Sequence, residues 1–263
     1  MPFVVANDHR FHVQQVRGRN VDEDAPTVVF VHGLIVDNLS SWWYTVANAV
    51  ALRSPVLLYD LRGHGLSERP RSGYSIPDMV ADLAGVIAAT GTTTPVHLVG
   101  NSFGCVVATA FTVAYPEAVS SLLLVEGNVE VAGHVLSPEE KVERAKTLLG
   151  EVEAWFARLG EARLAKFADL YEDLVNRTSL AEDLLEADPL TTEEAASIAC
   201  PTLCLFGAES DILDRAWVIK DQIPHCELRV IADANHLVLT HHPDWVRPFV
   251  VDWIAQQTSS VKS

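Results

Sequence analysis

The sequence predicts an α/β domain, with a mostly parallel central sheet, helices on both faces and a helical segment inserted after the sixth strand. Three observations carry this. Short apolar runs alternate with amphipathic stretches through residues 1–126 and again through 200–263, the pattern of strand–helix units that builds a parallel sheet. Between 127 and 199 no strand is evident, so the insertion is expected to be all-helical. Third, Val96 to Gly104 reads Val-His-Leu-Val-Gly-Asn-Ser-Phe-Gly and runs directly into an Ala/Val-rich stretch, which implies strand, very tight turn, then helix.

Phe3–Ala6 and Phe11–Val16 flank Asn7-Asp8 and read as an antiparallel hairpin. Thr27–Val31 is a β-branched run suited to a strand buried on both faces, ending in His32-Gly33-Leu34. Ser41–Leu52 reads as a helix and Val56–Tyr59 as the fourth strand. That strand opens into the Gly-rich loop Asp60-Leu61-Arg62-Gly63-His64-Gly65-Leu66-Ser67. Ser75 with Pro77 and Asp78 marks a helix start, followed by Ile76, Val80, Leu83, Ala84, Ile87 and Ala88 at helical spacing. The helix from Phe103 to Tyr115 stops at Pro116, and Ser121–Val125 is the sixth strand.

In the insertion, Ser137-Pro138-Glu139-Glu140 and Thr191 with Glu194 are capping boxes. Leu148, Val152, Trp155, Phe156 and Leu159 form one apolar helical stripe. Leu164, Phe167, Ala168, Tyr171, Leu174 and Val175 form another. Pro201–Gly207 and Cys226–Ile231 are the last strands, and His242-Pro243-Asp244 opens the final helix. Residues 258–263 are a polar tail.

A chain of 263 residues, 49% hydrophobic and 21% charged, has a globular profile. No apolar run approaches the ~18–20 residues of a membrane span. The first residues lack a basic stretch followed by an apolar core, so a cytoplasmic location is expected. Cys105, Cys200, Cys204 and Cys226 form no C-x-x-C pair and lie mostly in apolar runs, as buried thiols do. The net charge of −16 argues against nucleic acid and anionic membranes as partners. Residues 127–200 hold 16 Asp/Glu against 7 Lys/Arg, read as a solvated helical face. A small-molecule substrate is the expected partner, and oligomeric state is not legible.

The chemistry centres on Ser102. In a G-x-S-x-G turn the central Ser is exposed at the apex, and the flanking glycines admit a strand–helix approach that a Cβ would block. The bare pattern also fits an ordinary glycine-containing turn, so the partners decide. An activated Ser needs a base, and the base needs an acceptor. His236 and Asp211 each follow a late strand, which puts them on the sheet edge that carries Ser102. No ligand spacing suggests a metal, and Gly33, Gly63 and Gly65 match no phosphate-binding pattern, so no cofactor is implied.

The order Ser, Asp, His, with His32-Gly33, the Asp60–Ser67 loop, Gly100–Gly104 and Asn235-His236, resembles the α/β-hydrolase family over nearly the whole chain. The insertion matches that family's cap. The resemblance implies Ser102 as nucleophile, His236 as general base and Asp211 as the orienting carboxylate. Glu126 is the alternative acid, at a position some relatives use. It also implies an oxyanion hole from the backbone N–H groups of Leu34 and Phe103. His32 and His64 are expected to be structural, and His241 and His242 to lie at the surface. Trp155, Phe156, Tyr171 and Leu237 are candidate pocket residues, with plain packing the competing reading for the aromatics.

A Ser nucleophile leaves acyl chemistry on an ester, thioester or lactone, with an apolar substrate suiting the cap. Carbon–carbon bond hydrolysis, cofactor-free perhydrolysis and a ligand-binding receptor with little turnover stay open. Against carbon–carbon hydrolysis, Leu34-Ile35-Val36 replaces the extra glycines of those enzymes, and Leu237 stands where they carry an aromatic.

Overall fold

A computed structural model describes residues 2–22, 24–135, 137–158 and 160–261, with the side chains at 138, 142, 145, 148, 151, 155, 163, 260 and 261 excepted. Eight strands form one sheet: β1 (Phe3–Ala6), β2 (His9–Val16), β3 (Val28–Val31), β4 (Val56–Tyr59), β5 (Val96–Asn101), β6 (Val119–Val125), β7 (Thr202–Gly207) and β8 (Cys226–Ile231). Their order is β1-β2-β4-β3-β5-β6-β7-β8. β1–β2 and β2–β4 pair antiparallel and every other pair is parallel. The hairpin turns on Asn7 and Asp8, both at positive φ (47° and 63°), as a two-residue type I′ connection requires. β6 starts two residues before the expected Ser121, because Val119 pairs with Val96 across a register shift.

Helices α1 (Leu39–Trp42), α2 (Asn48–Val50), α3 (Ile76–Ala89), α4 (Phe103–Ala114), α5 (Pro138–Arg158), α6 (Glu161–Tyr171), α7 (Leu180–Leu185), α8 (Thr192–Ser197), α9 (Leu213–Gln222), α10 (Val238–His241) and α11 (Pro243–Val261) complete the chain. The helix expected over 41–52 begins earlier, since Asn38 Oδ1 caps it at the Ser40 N–H (2.9 Å), and a π-helical turn at Trp43–Ala47 divides it. The three caps expected at Ser75, Ser137 and Thr191 all form. Helix α9 had not been read in the sequence, although Ala216, Ile219 and Ile223 bury at its spacing.

Alternation along the strands divides the core between two faces. Val29, Val31, Leu57, Leu98, Leu122, Leu124 and Phe206 face α3, α4 and α9. Val28, Phe30, Leu58, Val99, Leu123, Val125 and Leu205 face α1 and α11. The helical segment between β6 and β7 is tied to the loop after β4. Leu174 is fully buried in the first cluster, the Tyr74 N–H donates to Asp183 Oδ2 (2.8 Å) and the Ser179 N–H to Arg71 O (2.9 Å). Val131 and Leu190 make an isolated bridge there. Among the described residues, no helix is long and apolar enough to cross a membrane.

Candidate active site

Parallel strands deliver their following loops to one edge of the sheet. At the end of β5 the chain reverses within Gly100–Gly104. A Cβ on Gly104 would stand 2.2 Å from Val31 O, and one on Gly100 2.7 Å from the Cys105 backbone. Ser102 between them takes φ 51° and ψ −117°, a conformation costing of order 1–3 kcal/mol that the packed turn must hold. Its N–H donates to Val125 O (2.9 Å) and its carbonyl accepts from the Cys105 N–H (3.0 Å). The side chain is thereby lifted clear of strand and helix.

Ser102 Oγ lies 3.0 Å from His236 Nε2. His236 follows β8 in a loop pressed against the end of β7, where a Cβ on Gly207 would meet Ala234 O at 2.1 Å. On the far side of the ring, Nδ1 approaches Glu126 Oε2 at 3.2 Å. This is an ion-pair distance without hydrogen-bond alignment. Glu126 is fully buried at the end of β6, at φ 53°. Its Oε1 accepts from the Gly207 N–H and its Oε2 from the Ser210 hydroxyl, both at 2.5 Å.

The carboxylate beside His236 is Glu126, the alternative to Asp211. Among the described residues no hydrogen bond or ion pair joins Asp211 to His236. The reason is local. The turn after β7 closes its Gly207 amide and Ser210 hydroxyl onto the Glu126 carboxylate, so the longer acid from the neighbouring strand occupies the place next to the imidazole. Gly207 and Ser210 were missed in the sequence, where a Gly and a Ser near a strand end carry no distinguishing signal.

The loop after β3 crosses beside the Ser. A Cβ on Gly33 would be 3.3 Å from Ser102 Cβ. The Gly33 N–H donates to Asp37 Oδ2 (3.1 Å) and the Ile35 N–H to His64 Nε2 (2.9 Å). Among the described residues no loop or cap hydrogen bond uses the amides of Leu34 or Phe103. Phe103 opens α4, so its N–H sits at the positive end of that helix.

His32 and His64 brace these loops. His32 Nδ1 bonds the Gly33 carbonyl (2.7 Å) and Nε2 accepts from the Leu61 N–H (2.9 Å). His64 Nδ1 bonds the Arg62 carbonyl (2.8 Å). Each ring is thus a neutral tautomer fixed by backbone groups. Burial lowers both, taking His64 to about 3 with help from the neighbouring His32. Asp60 Oδ2 accepts from the Leu66 N–H (2.8 Å) and meets His12 Nδ1 at 2.8 Å, while Oδ1 accepts from the Leu39 N–H (2.8 Å).

Cys105, next to the elbow, is fully buried with its Sγ 3.3 Å from Val125 O, and burial raises its thiol well above the ordinary range. All four cysteines are free, and Cys204 and Cys226 touch at 3.6 Å. His241 is exposed, and His242 is half-buried, stacked on Trp245 at 4.3 Å. Phe156 stacks on Phe167 at 5.3 Å, and Tyr171 lies 6.3 Å from the same ring, so these aromatics pack within the helical segment. Leu237 is half-buried directly after His236. The Trp155 and Leu148 side chains and residue Leu159 lie outside the described residues.

Sheet order, strand–turn–helix elbow and facing imidazole define an α/β-hydrolase scaffold. The alpha/beta hydrolase family model matches residues 28–249, and the chain belongs to that family. A relative from Azorhizobium caulinodans, named as the carbamate hydrolase RutD, is 27% identical over 226 residues, 78% of this chain and 83% of its own. Two solved structures share the fold. The enol-lactonase from Burkholderia xenovorans LB400 has a TM-score of 0.78 at 23% identity, covering 97% of this chain and 100% of its own. The esterase EaEST from Exiguobacterium antarcticum has 0.77 at 19%, covering 96% and 98%.

Proposed function

We propose that the protein is a serine hydrolase that cleaves an ester, thioester or lactone of a largely apolar small molecule through an acyl-enzyme. The observation that carries this is the line of three groups: Ser102 Oγ 3.0 Å from His236 Nε2, with Glu126 Oε2 3.2 Å from Nδ1. In this reading His236 takes the Ser102 proton as Oγ attacks the carbonyl carbon. Glu126, buried and held by two donors 3.2 Å from Nδ1, stabilises the imidazolium by its charge. The tetrahedral oxyanion is met by the Leu34 and Phe103 amides, each such donor supplying roughly 3 kcal/mol. His236 then passes its proton to the leaving oxygen or sulfur. Water, deprotonated by the same ring, attacks the acyl-enzyme and releases the acid.

The helical segment 127–199 serves in this scheme as a cap. Its Leu174 packs close to Gly63, where a Cβ would meet Leu174 Cδ1 at 2.8 Å, so it is anchored on the loop that follows β4. Phe156, Phe167 and Tyr171 give it an apolar interior suited to an apolar acyl or aryl group. A relative named as a carbamate hydrolase adds carbamates to the carbonyl substrates to be tried.

A fluorophosphonate probe should label the wild type and leave Ser102→Ala untouched. Equal labelling of both removes Ser102 from the mechanism. Turnover across p-nitrophenyl esters, acyl thioesters, lactones, carbamates and vinylogous diketones then ranks the leaving groups.

A further inference from the structure

Resting on the serine-hydrolase reading, we infer that Asp37 is a positioning residue for the oxyanion loop. Its carboxylate ties the Gly33 amide, one residue before Leu34, to the nucleophile elbow and so helps hold the Leu34 N–H toward the carbonyl that Ser102 attacks. Asp37 Oδ2 accepts from two donors on different segments, the Gly33 N–H at 3.1 Å and Asn101 Nδ2 at 3.1 Å. Gly33 precedes Leu34 and Asn101 precedes Ser102, so one oxygen joins the two chains that must meet at the reacting carbonyl. The other oxygen, Oδ1, accepts from the Ser41 hydroxyl at 2.8 Å at the start of α1. That third bond fixes the carboxylate itself to the scaffold.

There is no slack in this arrangement. A Cβ on Gly33 would meet Asp37 Oδ2 at 2.6 Å and Ser102 Cβ at 3.3 Å, so the loop at Gly33 is packed against both the carboxylate and the nucleophile. The loop returns to Asp37 through Ile35 at φ 62° and a tight bond from the Val36 N–H to Leu34 O (2.8 Å). With the Ile35 N–H on His64 Nε2 at 2.9 Å, the amides on both sides of Leu34 are each fixed by a side chain. The Gly33–Leu34 peptide itself is held through its carbonyl, which bonds His32 Nδ1 at 2.7 Å, so Asp37 fixes the residue before that peptide and His64 the amide after it.

The benefit of Asp37 is geometric and not electrostatic, because an anion here opposes the charge that develops on the substrate oxygen. Asn at 37 keeps the geometry. Its oxygen can accept from Gly33 and Asn101 while its NH2 faces the Ser41 hydroxyl, which can also accept. This separates positioning from charge, and an aliphatic residue of similar size separates positioning from packing.

The test is the time course of labelling by an alkyl fluorophosphonate. Ser102 Oγ attacks phosphorus, His236 takes the proton and fluoride leaves, with the phosphoryl oxygen in the oxyanion hole. Asp37→Ala and Asp37→Leu should lower the maximal labelling rate about 10–100-fold, with the half-saturating probe concentration unchanged. Asp37→Asn should stay within about threefold of wild type or exceed it. Labelling of Asp37→Ala or Asp37→Leu at the wild-type rate overturns the proposal, and so does a loss of near-UV circular dichroism in both, which makes Asp37 a folding residue. A wild type that does not label removes the hydrolase reading and this proposal with it.

Discussion

Glu126 Oε2 and His236 Nδ1 face each other at 3.2 Å across the ends of β6 and β8, with β7 lying between those strands. The Glu126 carboxylate thus reaches past a whole strand to the imidazole. It does so with help from that strand: the Gly207 amide and the Ser210 hydroxyl, both from β7 and its turn, bind the two carboxylate oxygens. Removing the acid's charge should therefore be far more damaging than altering Asp211. Glu126→Gln is expected to lower kcat/KM on an activated ester by about 10³-fold or more, and Asp211→Asn to change it less than about threefold. A reversed ranking, measured side by side, would return the role to Asp211.

Ser210 supports that acid but is not its sole tether. Ser210→Ala leaves the Gly207 N–H on Oε1, so the carboxylate keeps one of its two donors. Losing a hydrogen bond to a charged group costs about 1.5–3 kcal/mol, and part of that is expected in kcat. The rate should fall to a level between wild type and Glu126→Gln, with KM little changed. Steady-state kinetics on the same ester decides it, and a fall as deep as that of Glu126→Gln would make Ser210 indispensable to the acid's placement.

The glycines divide sharply by what surrounds them. A Cβ on Gly104 would lie 2.2 Å from Val31 O and 2.6 Å from His32 O, both backbone atoms that cannot swing aside. Gly104→Ala is expected to cost several kcal/mol and to abolish labelling of Ser102. Among the described residues outside its own helical backbone, nothing lies within 4 Å of a Cβ built on Gly150, inside α5. Gly150→Ala should raise stability by about 0.5–1 kcal/mol through helix propensity. Thermal melts of both variants check the pair, and a destabilised Gly150→Ala would show that α5 packs against something at that face.

These cases show which features were legible in the sequence. The sheet, the elbow and the insertion could be read because each depends on local pattern: β-branched runs, flanking glycines and capping residues such as Ser75 and Thr191. Which of two carboxylates reaches His236 could not, because Glu126 and Asp211 both follow strands at the same edge. Their difference lies in side-chain length, in the positive φ of Glu126 and in where the β7 turn points its donors. Asp37 was invisible for a similar reason, since its partners Gly33, Asn101 and Ser41 are joined only by folding. Helix α9 was missed because its buried residues are few and its charged ones many.

Stability should fall steeply below neutral pH for a reason separate from the carboxylates. Burial depresses His64 to about 3 and His97 to about 4, and lowers His32 as well, whereas an unfolded histidine titrates near ~6.5. Their neutral rings are needed in the fold: His64 Nε2 accepts from the Ile35 N–H, and His97 Nδ1 sits 2.8 Å from Ser121 Oγ. With folded values below unfolded ones, the unfolded chain binds more protons between about pH 6.5 and 4, so this contribution is complete above ~6.5 and is lost as pH falls. His64 and His97 should each remove about 2 kcal/mol between pH 7 and pH 5. Urea unfolding at pH 7, 6 and 5 measures the slope, in a window where few carboxylates titrate. His97→Gln, with no ring to protonate, should flatten that slope by about one proton, and an unchanged slope would mean that His97 does not contribute to it.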